Sequence, residues 1–382
     1  MVDLLGQAVK LGHLDVVRWL HECIIQRSQV PRSKRSPILL SAILNGHIDV
    51  ARFLVDNDYQ LVEGINVSYS QRCIDLKMLT WLQSRGLTDG STGWTDKAAE
   101  AGRLDVLQWL DANMPDDRGT TRAMDEAACN GHFEVVKWLH ANRQEGCTSR
   151  AIDKAALGGH LDVVKWLHEN RQEGCTTGAM DNAAANNHLD VVKWLHENRQ
   201  EGCTTSAMDG AATYDHLDVV QWLHKNRQEG CTTDAMDGAA ANGYLRVVKW
   251  LHENRSEGCT TRAQDETQSM EVLRWLRDHR SEGCTNGLMV DAVRRGDFEK
   301  LLYSVEKKIG QGYLGRVIET TVRNFQFEVF QWLRVNFPEH NYEATARFIV
   351  EFHMPRGTRL WDLFFEDEAA RKQEAKSTKT TE

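Results

Sequence analysis

Proline is scarce in this 382-residue chain, and its distribution excludes several architectures. The sequence contains only five prolines, and none of them lies between Asp116 and Phe337. Proline breaks helices, while loop-rich and turn-rich folds use it often. A proline-free stretch of this length therefore favours short helices joined by compact turns.

The chain also lacks a positive charge balance and long apolar runs. Its net charge is −9 and its pI is near 5.9, so nucleic acid and anionic membrane surfaces would be repelled. No apolar run approaches the roughly 20 residues of a membrane span, and Asp3 stands where a signal peptide would be basic. We expect no membrane or nucleic-acid partner.

The nine cysteines form an odd number without a CxxC pair, which predicts a reducing compartment. We expect a cytoplasmic protein, with a nuclear location as the alternative. A predicted loop contains a small cluster of basic residues, which are Arg27, Arg32, Lys34 and Arg35. We expect a solvated loop there, and a nuclear-import sequence is the less favoured alternative.

An internal repeat dominates the sequence. Five segments of the form AMDxAAxxxHLDVVKWLH follow each other every 28 residues, starting at Ala123, Ala151, Ala179, Ala207 and Ala235. Tryptophan marks the same position in most units, and Phe53 and Leu302 fill two gaps, which gives about twelve units. The marking tryptophans are Trp19, Trp81, Trp109, Trp138, Trp166, Trp194, Trp222, Trp250, Trp275 and Trp332.

Each unit is predicted to contain two short helices. The first, which we call the inner helix, spans 123–130 in one unit and carries an alanine pair that permits close packing. After a turn at Gly131, the second or outer helix spans 133–142, and Gly146 closes the turn that follows it. The apolar band of the outer helix is too wide for one face, so neighbouring units must cover it. We expect the tryptophan to be part of this core.

These letters resemble the ankyrin repeat. NGHFEVVKWL and GGHLDVVKWL are similar to its second-helix signature, and Ser36 to Phe53 resembles a fuller unit with Ser36-Pro37 at the Thr-Pro position. The resemblance implies stacked helix pairs that bind another protein through the inner helices and turns. However, Asp125 replaces the ankyrin histidine, and the unit is five residues short in the loop that forms the ankyrin finger. We therefore expect a compact turn instead of a finger.

The predicted fold is all-α, an α-solenoid of about twelve stacked helix-turn-helix ankyrin-like repeats. The Trp275 unit lacks three residues and the alanine pair, which predicts a short inner helix and a weak joint there. The predicted organisation is an irregular N-terminal array over 1–114, a regular array over 115–262, drifted repeats over 263–337, a capping helix region over 338–365 and a disordered tail over 366–382.

Three sequence features invite a chemical interpretation instead of a scaffold. The cysteine ladder from Cys147 to Cys284 and the recurring histidines lack the close spacing of a metal site, so we expect small buried thiols and histidines that bond the local backbone. Gly310 to Gly315 matches GxGxxG, but a helix precedes it instead of a strand. A nucleotide-binding enzyme acting through this loop is the less favoured alternative, and we expect no cofactor, metal or small-molecule substrate.

The favoured function is a non-catalytic scaffold that binds another protein, with a structural fragment of a larger protein as the alternative. Positions that differ among otherwise similar repeats are not dictated by the core, and they lie at the starts and ends of the inner helices. Exposed tyrosine is common at interfaces, so Tyr214 is the favoured anchor. The candidates are Arg122, Glu126, Asn130, Arg150, Lys154, Asn182, Asn186, Ser206, Thr213, Tyr214, Asp234 and Asn242.

Overall fold

The computed structural model describes residues 2–27, 32–61, 75–88, 93–309, 314–324, 326–338, 340 and 342. These residues form twenty-three α-helices and no strand. The chain divides into two compact units, residues 1–207 and 208–382, which are described separately. No helix among the described residues is both long and apolar enough to cross a bilayer.

The helices alternate between inner and outer positions along the chain. In the first unit they are α1 (Val2–Leu11), α2 (Leu14–Arg27), α3 (Arg32–Leu44), α4 (Ile48–Asp56), α5 (Leu76–Ser84), α6 (Trp94–Glu100), α7 (Leu104–Asn113), α8 (Thr121–Cys129), α9 (Phe133–Asn142), α10 (Arg150–Leu157), α11 (Leu161–Asn170), α12 (Thr177–Ala185) and α13 (Leu189–Asn198). Helix α14 (Thr205–Thr213) contains the division. The second unit continues with α15 (Leu217–Asn226), α16 (Thr233–Ala241), α17 (Leu245–Asn254), α18 (Arg262–Glu266), α19 (Met270–His279), α20 (Gly287–Arg295), α21 (Phe298–Glu306), α22 (Leu314–Arg323) and α23 (Phe327–Asn336).

All helices except α5 form consecutive inner and outer pairs, which confirms the predicted helix-turn-helix unit and the count of about twelve. Residues 62–74 before α5, the capping region from 343 and the tail lie outside the described residues, as do residues 310–313 of the GxGxxG motif. The predicted basic loop is wrong in part, because α3 begins at Arg32 and continues through Pro37.

The inner helices pack side by side within each unit. In the first unit α6, α8, α10 and α12 follow one another in contact, and in the second α16, α18, α20 and α22 do the same. The alanine pairs at these contacts are fully buried, as Ala127 and Ala128 show. Small side chains let helix backbones approach closely, so the predicted role of the alanine pair is consistent with this packing.

The outer helices bury valine and leucine more completely than tryptophan. Val191, Val192 and Leu195 of α13 are inaccessible or nearly so, whereas Trp194 is only half-buried. The Trp194 ring lies edge-to-face against His168 of the preceding repeat, with centroids 5.2 Å apart. The expectation of a fully buried tryptophan core is therefore too strong for these repeats, because the indole packs at the rim of the stack.

The turn between the two helices requires glycine for two reasons. Gly131 has a φ of 70°, and the ring of His160 lies so close that a Cβ on Gly131 would come within 2.5 Å of it. Two turn histidines bond the backbone of the preceding repeat: His132 Nε2 donates to the carbonyl of Glu100 at 3.2 Å, and His47 Nε2 donates to the carbonyl of Lys10 at 3.1 Å. The predicted local bond is thus an inter-repeat bond, because the ring projects from its turn towards the neighbouring inner helix.

An aspartate–threonine pair connects consecutive inner helices. Asp125 of α8 accepts two hydrogen bonds from Thr148 before α10, from its amide at 2.9 Å and from its hydroxyl at 2.7 Å. The same hydroxyl accepts from the amide of Arg150 at 3.2 Å, which caps the first turn of α10. The pair recurs as Asp153–Thr176 and Asp181–Thr204 in the first unit, and as Asp209–Thr232, Asp237–Thr260 and Asp265–Thr285 in the second.

The truncated repeat keeps this connection in spite of its deletion. Helix α18 has only five residues, which confirms the short inner helix predicted for the Trp275 unit. Asp265 still bonds Thr285, although the two are 20 residues apart instead of the usual 23. Lys300 of α21 is almost inaccessible; its Nζ donates to the carbonyl of Thr267 and lies 3.2 Å from Asp297. A buried lysine thus occupies the place left by the missing turn.

The aspartate–threonine pair should be a major source of stability between repeats. We expect Asp125→Ala to lower the free energy of unfolding by about 2–4 kcal/mol, since two hydrogen bonds to a buried charged acceptor are lost. The midpoint of urea denaturation checks this. Glu169→Ala, on the exposed surface of α11, is the control and should change the free energy by less than about 0.5 kcal/mol. Equal midpoints for the two variants would contradict the assignment.

The truncated repeat should open more readily than the regular repeats. We expect faster amide hydrogen exchange in residues 263–269 than in Val191–Leu195, because the short helix has fewer internal hydrogen bonds. Lys300→Met keeps the volume but removes the donor to Thr267, so it should accelerate exchange in 263–269 further, by roughly tenfold. Lys249→Met, at an exposed site on α17, is the control. Protection in 263–269 equal to that of Val191–Leu195 would show that no weak joint exists.

Candidate partner-binding face

The candidate binding face consists of the starts and ends of the inner helices with the turns that follow them, and we call it the inner-helix face. Four of the predicted residues lie in the first turn of an inner helix and are exposed: Arg122 on α8, Arg150 on α10, Ser206 on α14 and Asp234 on α16. Their side chains extend from a turn whose backbone is held by the threonine cap. The scaffold therefore fixes the backbone positions of these four residues, while the type of side chain at each position can vary.

A second group lies one helical turn further along and is half-buried. Lys154 of α10 forms an ion pair with Glu126 of α8, so these two variable residues contact each other across the repeat boundary. Asn182 occupies the same register on α12 and is also half-buried. Part of the variation at this register thus serves packing between neighbours.

The asparagines at the ends of the inner helices have a structural role that was not predicted. Asn130 Nδ2 donates to the carbonyls of Glu126 at 3.0 Å and of Glu100 in the preceding repeat at 3.2 Å. In the second unit Asn242 bonds the carbonyl of Thr213 at 3.1 Å. Asn186 bonds its own helix in the same way. These amides stabilise helix ends, and their outer surfaces remain exposed.

Tyr214 differs from the other candidates in both chemistry and exposure. It follows α14, and its side chain is 59% exposed. Its ring lies 6.4 Å from that of His216, and the next residue, Asp215, adopts a φ of 63° where most repeats have glycine. Thr213 is half-buried and donates its hydroxyl to its own helix. Tyr214 is therefore the large aromatic side chain that this part of the face presents.

The turns after the outer helices contain a repeated arginine–glutamate pair. Arg199 Nε lies 3.2 Å from Glu201 Oε2, Nη2 binds the other carboxylate oxygen, and Nη1 is 3.1 Å from His168 Nδ1 of the preceding repeat. The turns are compact and contain no strand, as the shortened unit predicted. Gly146, expected to have a positive φ, has one of 73°.

The cysteine ladder lies beneath these turns. Burial raises the pKa of Cys147, Cys175, Cys231 and Cys259 to about 11. All cysteines in the described part of the chain are free thiols. Among the described residues no three histidine, cysteine or acidic side chains converge as a metal site would require.

Sequence reasoning missed the residues that connect the repeats, although a signal for them was present. Asp125 and its equivalents were recognised as a departure from the ankyrin motif, and Thr148 and its equivalents follow each aspartate 23 residues later. A fixed acceptor and a fixed donor at constant separation predict a hydrogen bond once the stacking is known.

The buried thiols should be unreactive in the folded protein. At pH 8 a pKa of about 11 instead of 9.0 lowers the thiolate fraction roughly a hundredfold. We expect iodoacetamide to label Cys147 and Cys231 at least tenfold more slowly in native protein than in urea. Because the folded pKa is higher, the thiols contribute stability below pH 9 that is lost between about pH 9 and 11. Native mass spectrometry that found a ladder disulfide or a stoichiometric metal would contradict this prediction.

Comparison with known proteins supports the repeat assignment. The family described as "Ankyrin repeats (many copies)" matches residues 96–140, 152–196 and 208–252. A search of curated proteins found no match. The crystal structure of the human ASB11 ankyrin repeat domain is 19% identical, with 49% of this chain and 97% of that chain covered and a TM-score of 0.38.

A second similar structure is the pentatricopeptide repeat protein PPR10 in complex with an 18-nt psaJ RNA element. It is 11% identical, with 91% of this chain and 58% of that chain covered and a TM-score of 0.42. The matched ankyrin segments coincide with the helix pairs from α6 to α17. The chain therefore contains ankyrin repeats over these three segments.

Proposed function

We propose that this chain is a non-catalytic interaction module that binds a partner protein through the inner-helix face. Ankyrin repeats generally mediate contacts between proteins. The observation that carries the proposal is the separation of roles within one repeat. Many positions that are constant among the regular repeats are buried or bond a neighbouring repeat, whereas the variable candidate positions at the starts of the inner helices and at Tyr214 are exposed.

This separation is visible in neighbouring residues. Ala207, Met208, Ala211 and Ala212 of α14 are buried, while Ser206 and Tyr214 at its two ends are exposed. A rigid helix with exposed variable ends places side chains precisely without losing much conformational entropy on binding. Tyrosine contributes a large contact area with few rotatable bonds, which suits an anchor at an interface.

A purely structural spacer is the competing function, and variation at unconstrained positions supports it. The ion pair between Glu126 and Lys154 and the helix-end bonds of Asn130 and Asn242 show that part of the variation serves the scaffold. Asp234 also pairs with Arg262 of the next repeat, whereas Tyr214 and Arg150 are exposed and form no ion pair with a described residue. The proposed binding residues are therefore concentrated at the first turns and at Tyr214.

Site-specific photo-crosslinking in the native cell tests the proposal. A benzophenone amino acid at Tyr214 or at Arg150 should cross-link a defined protein, because these positions lie on the proposed contact surface. The matched controls are Gln221 on α15 and Lys165 on α11, which are also exposed but lie on outer helices. Cross-linked species are identified by mass spectrometry.

The expected pattern is one dominant adduct from the inner-helix positions and none from the outer-helix controls. Equal adducts from all four positions would indicate contact without a preferred face. No adduct from any position would favour the spacer. Either result would contradict binding through the inner-helix face.

A further inference from the structure

An arginine directly after the outer helix recurs in the regular repeats and in the truncated repeat, and its first copy differs from the others. The recurring residues are Arg143, Arg171, Arg199, Arg227, Arg255 and Arg280. In the later copies the guanidinium is held on several sides. Arg255, for example, binds Glu257 through Nε and Nη2 and faces His224 with Nη1 at 3.4 Å.

The carboxylate in these later copies occupies one particular edge of the guanidinium. Nε and Nη2 form a fork that matches the two oxygens of a carboxylate. In Arg199 and Arg280, as in Arg255, this edge is taken by the glutamate two residues further along the chain. The repeats themselves thus show which chemical group fits this edge.

Arg143 lacks these partners although its local sequence is the same. The preceding repeat has Asp111 at the register where later repeats have histidine, and Arg143 Nη2 lies 3.4 Å from Asp111 Oδ1. Glu145 Oε2 accepts from the Gln144 amide at 3.1 Å, as the later glutamates accept from theirs, but Glu145 forms no ion pair with Arg143. Nε and Nη2 of Arg143 are buried and make no hydrogen bond to the described residues. The side chain is only 9% exposed.

A small cavity lies beside this arginine. Arg118, Thr120, Arg143 and Glu145 contribute to its wall, and its volume of about 10 Å³ holds one oxygen-sized group. Arg118 is exposed on the turn before α8, and Arg122 and Arg150 are exposed at the starts of α8 and α10. None of the three forms an ion pair with a described residue. Arg143 thus combines two buried donors that make no hydrogen bond to the described residues with exposed arginines at the starts of the neighbouring inner helices.

We propose that Arg143 is the centre of a carboxylate-binding site, and that Arg118, Arg122 and Arg150 guide an acidic segment of the partner protein to it. The inference rests on the proposed function and specifies the chemistry of the partner. One carboxylate oxygen from the partner enters the cavity and accepts from Nε and Nη2, the edge that the two glutamate oxygens occupy in the later repeats. The chain is acidic overall, so this basic region is a local exception that favours an acidic ligand.

Two alternatives use the same donors. Glu145 can turn to Arg143 and form the fork seen at Arg199, which would close the site. A water molecule in the cavity can also accept from the arginine without any partner. In the first case Glu145 competes with the ligand, and in the second the arginine contributes only to stability. Substitutions at Arg143 and Glu145 distinguish both cases from ligand binding.

Fluorescence anisotropy with the full chain tests the site. The probe is a fluorescein-labelled peptide with glutamate at alternate positions in a glycine–serine background, and its glutamine counterpart is the neutral control. We expect Arg143→Met to weaken binding of the acidic peptide at least tenfold, since the charge-assisted hydrogen bonds from Nε and Nη2 are lost. Glu145→Gln should tighten binding, because it removes the competing carboxylate. Arg118→Ala, at an exposed position, should weaken binding severalfold without affecting folding.

Arg199→Met is the matched control, because Arg199 has the same register but its fork is occupied by Glu201. Its affinity for the acidic peptide should stay within about twofold of the unmodified protein. Circular dichroism melts of the two methionine variants show whether each is folded.

The proposal is overturned if the unmodified protein does not bind the acidic peptide, or if Arg143→Met and Arg199→Met bind it equally. It is also overturned if the glutamine peptide binds as well, or if an RNA oligomer of equal charge competes as effectively as the acidic peptide. Cross-linking of a partner at Tyr214 together with failure of the acidic peptide would remove this inference alone. Failure of cross-linking at all positions would instead remove the proposed function.

Discussion

The aspartate–threonine pair between consecutive inner helices is the interaction on which the rest of the structure depends. One carboxylate accepts hydrogen bonds from an amide and a hydroxyl of the next repeat. The same hydroxyl accepts a hydrogen bond from the first amide of the next helix. The pair therefore fixes the spacing of the inner helices and the point at which each one starts. The aspartate–threonine pair thereby also sets the positions of the alanine contacts and of the exposed first-turn residues.

Most of the fold could be predicted from the sequence because the repeat is so regular. The outer helix Phe133–Asn142 and the short inner helix of the Trp275 unit both follow from letter patterns within a single repeat. What could not be predicted involves two repeats at once. The bond from His132 to Glu100, the half-burial of Trp194 and the lysine that supports Thr267 all depend on how neighbouring units stack.

The candidate face shows the same limit. Exposure at Arg122, Arg150 and Tyr214 is as expected for variable positions. Asn130 and Asn242 vary in the same way, yet they bond the preceding repeat. Variation within one chain separates constrained from unconstrained positions only when the constraint is identical in every repeat. Arg143 was missed for the opposite reason: its own letters match those of Arg199, and only Asp111 in the preceding repeat makes it different.

The aspartate–threonine pair also makes each repeat an interchangeable part. Every regular unit offers a carboxylate to the unit that follows and receives one from the unit before, always at the same register. A segment of 28 residues cut out at any point of the regular array carries one complete acceptor and one complete donor. If such a segment is duplicated or deleted within the regular array, every aspartate at a repeat boundary still faces a threonine. Array length can therefore change in whole steps, and the set of exposed residues can be extended without any redesign of the core.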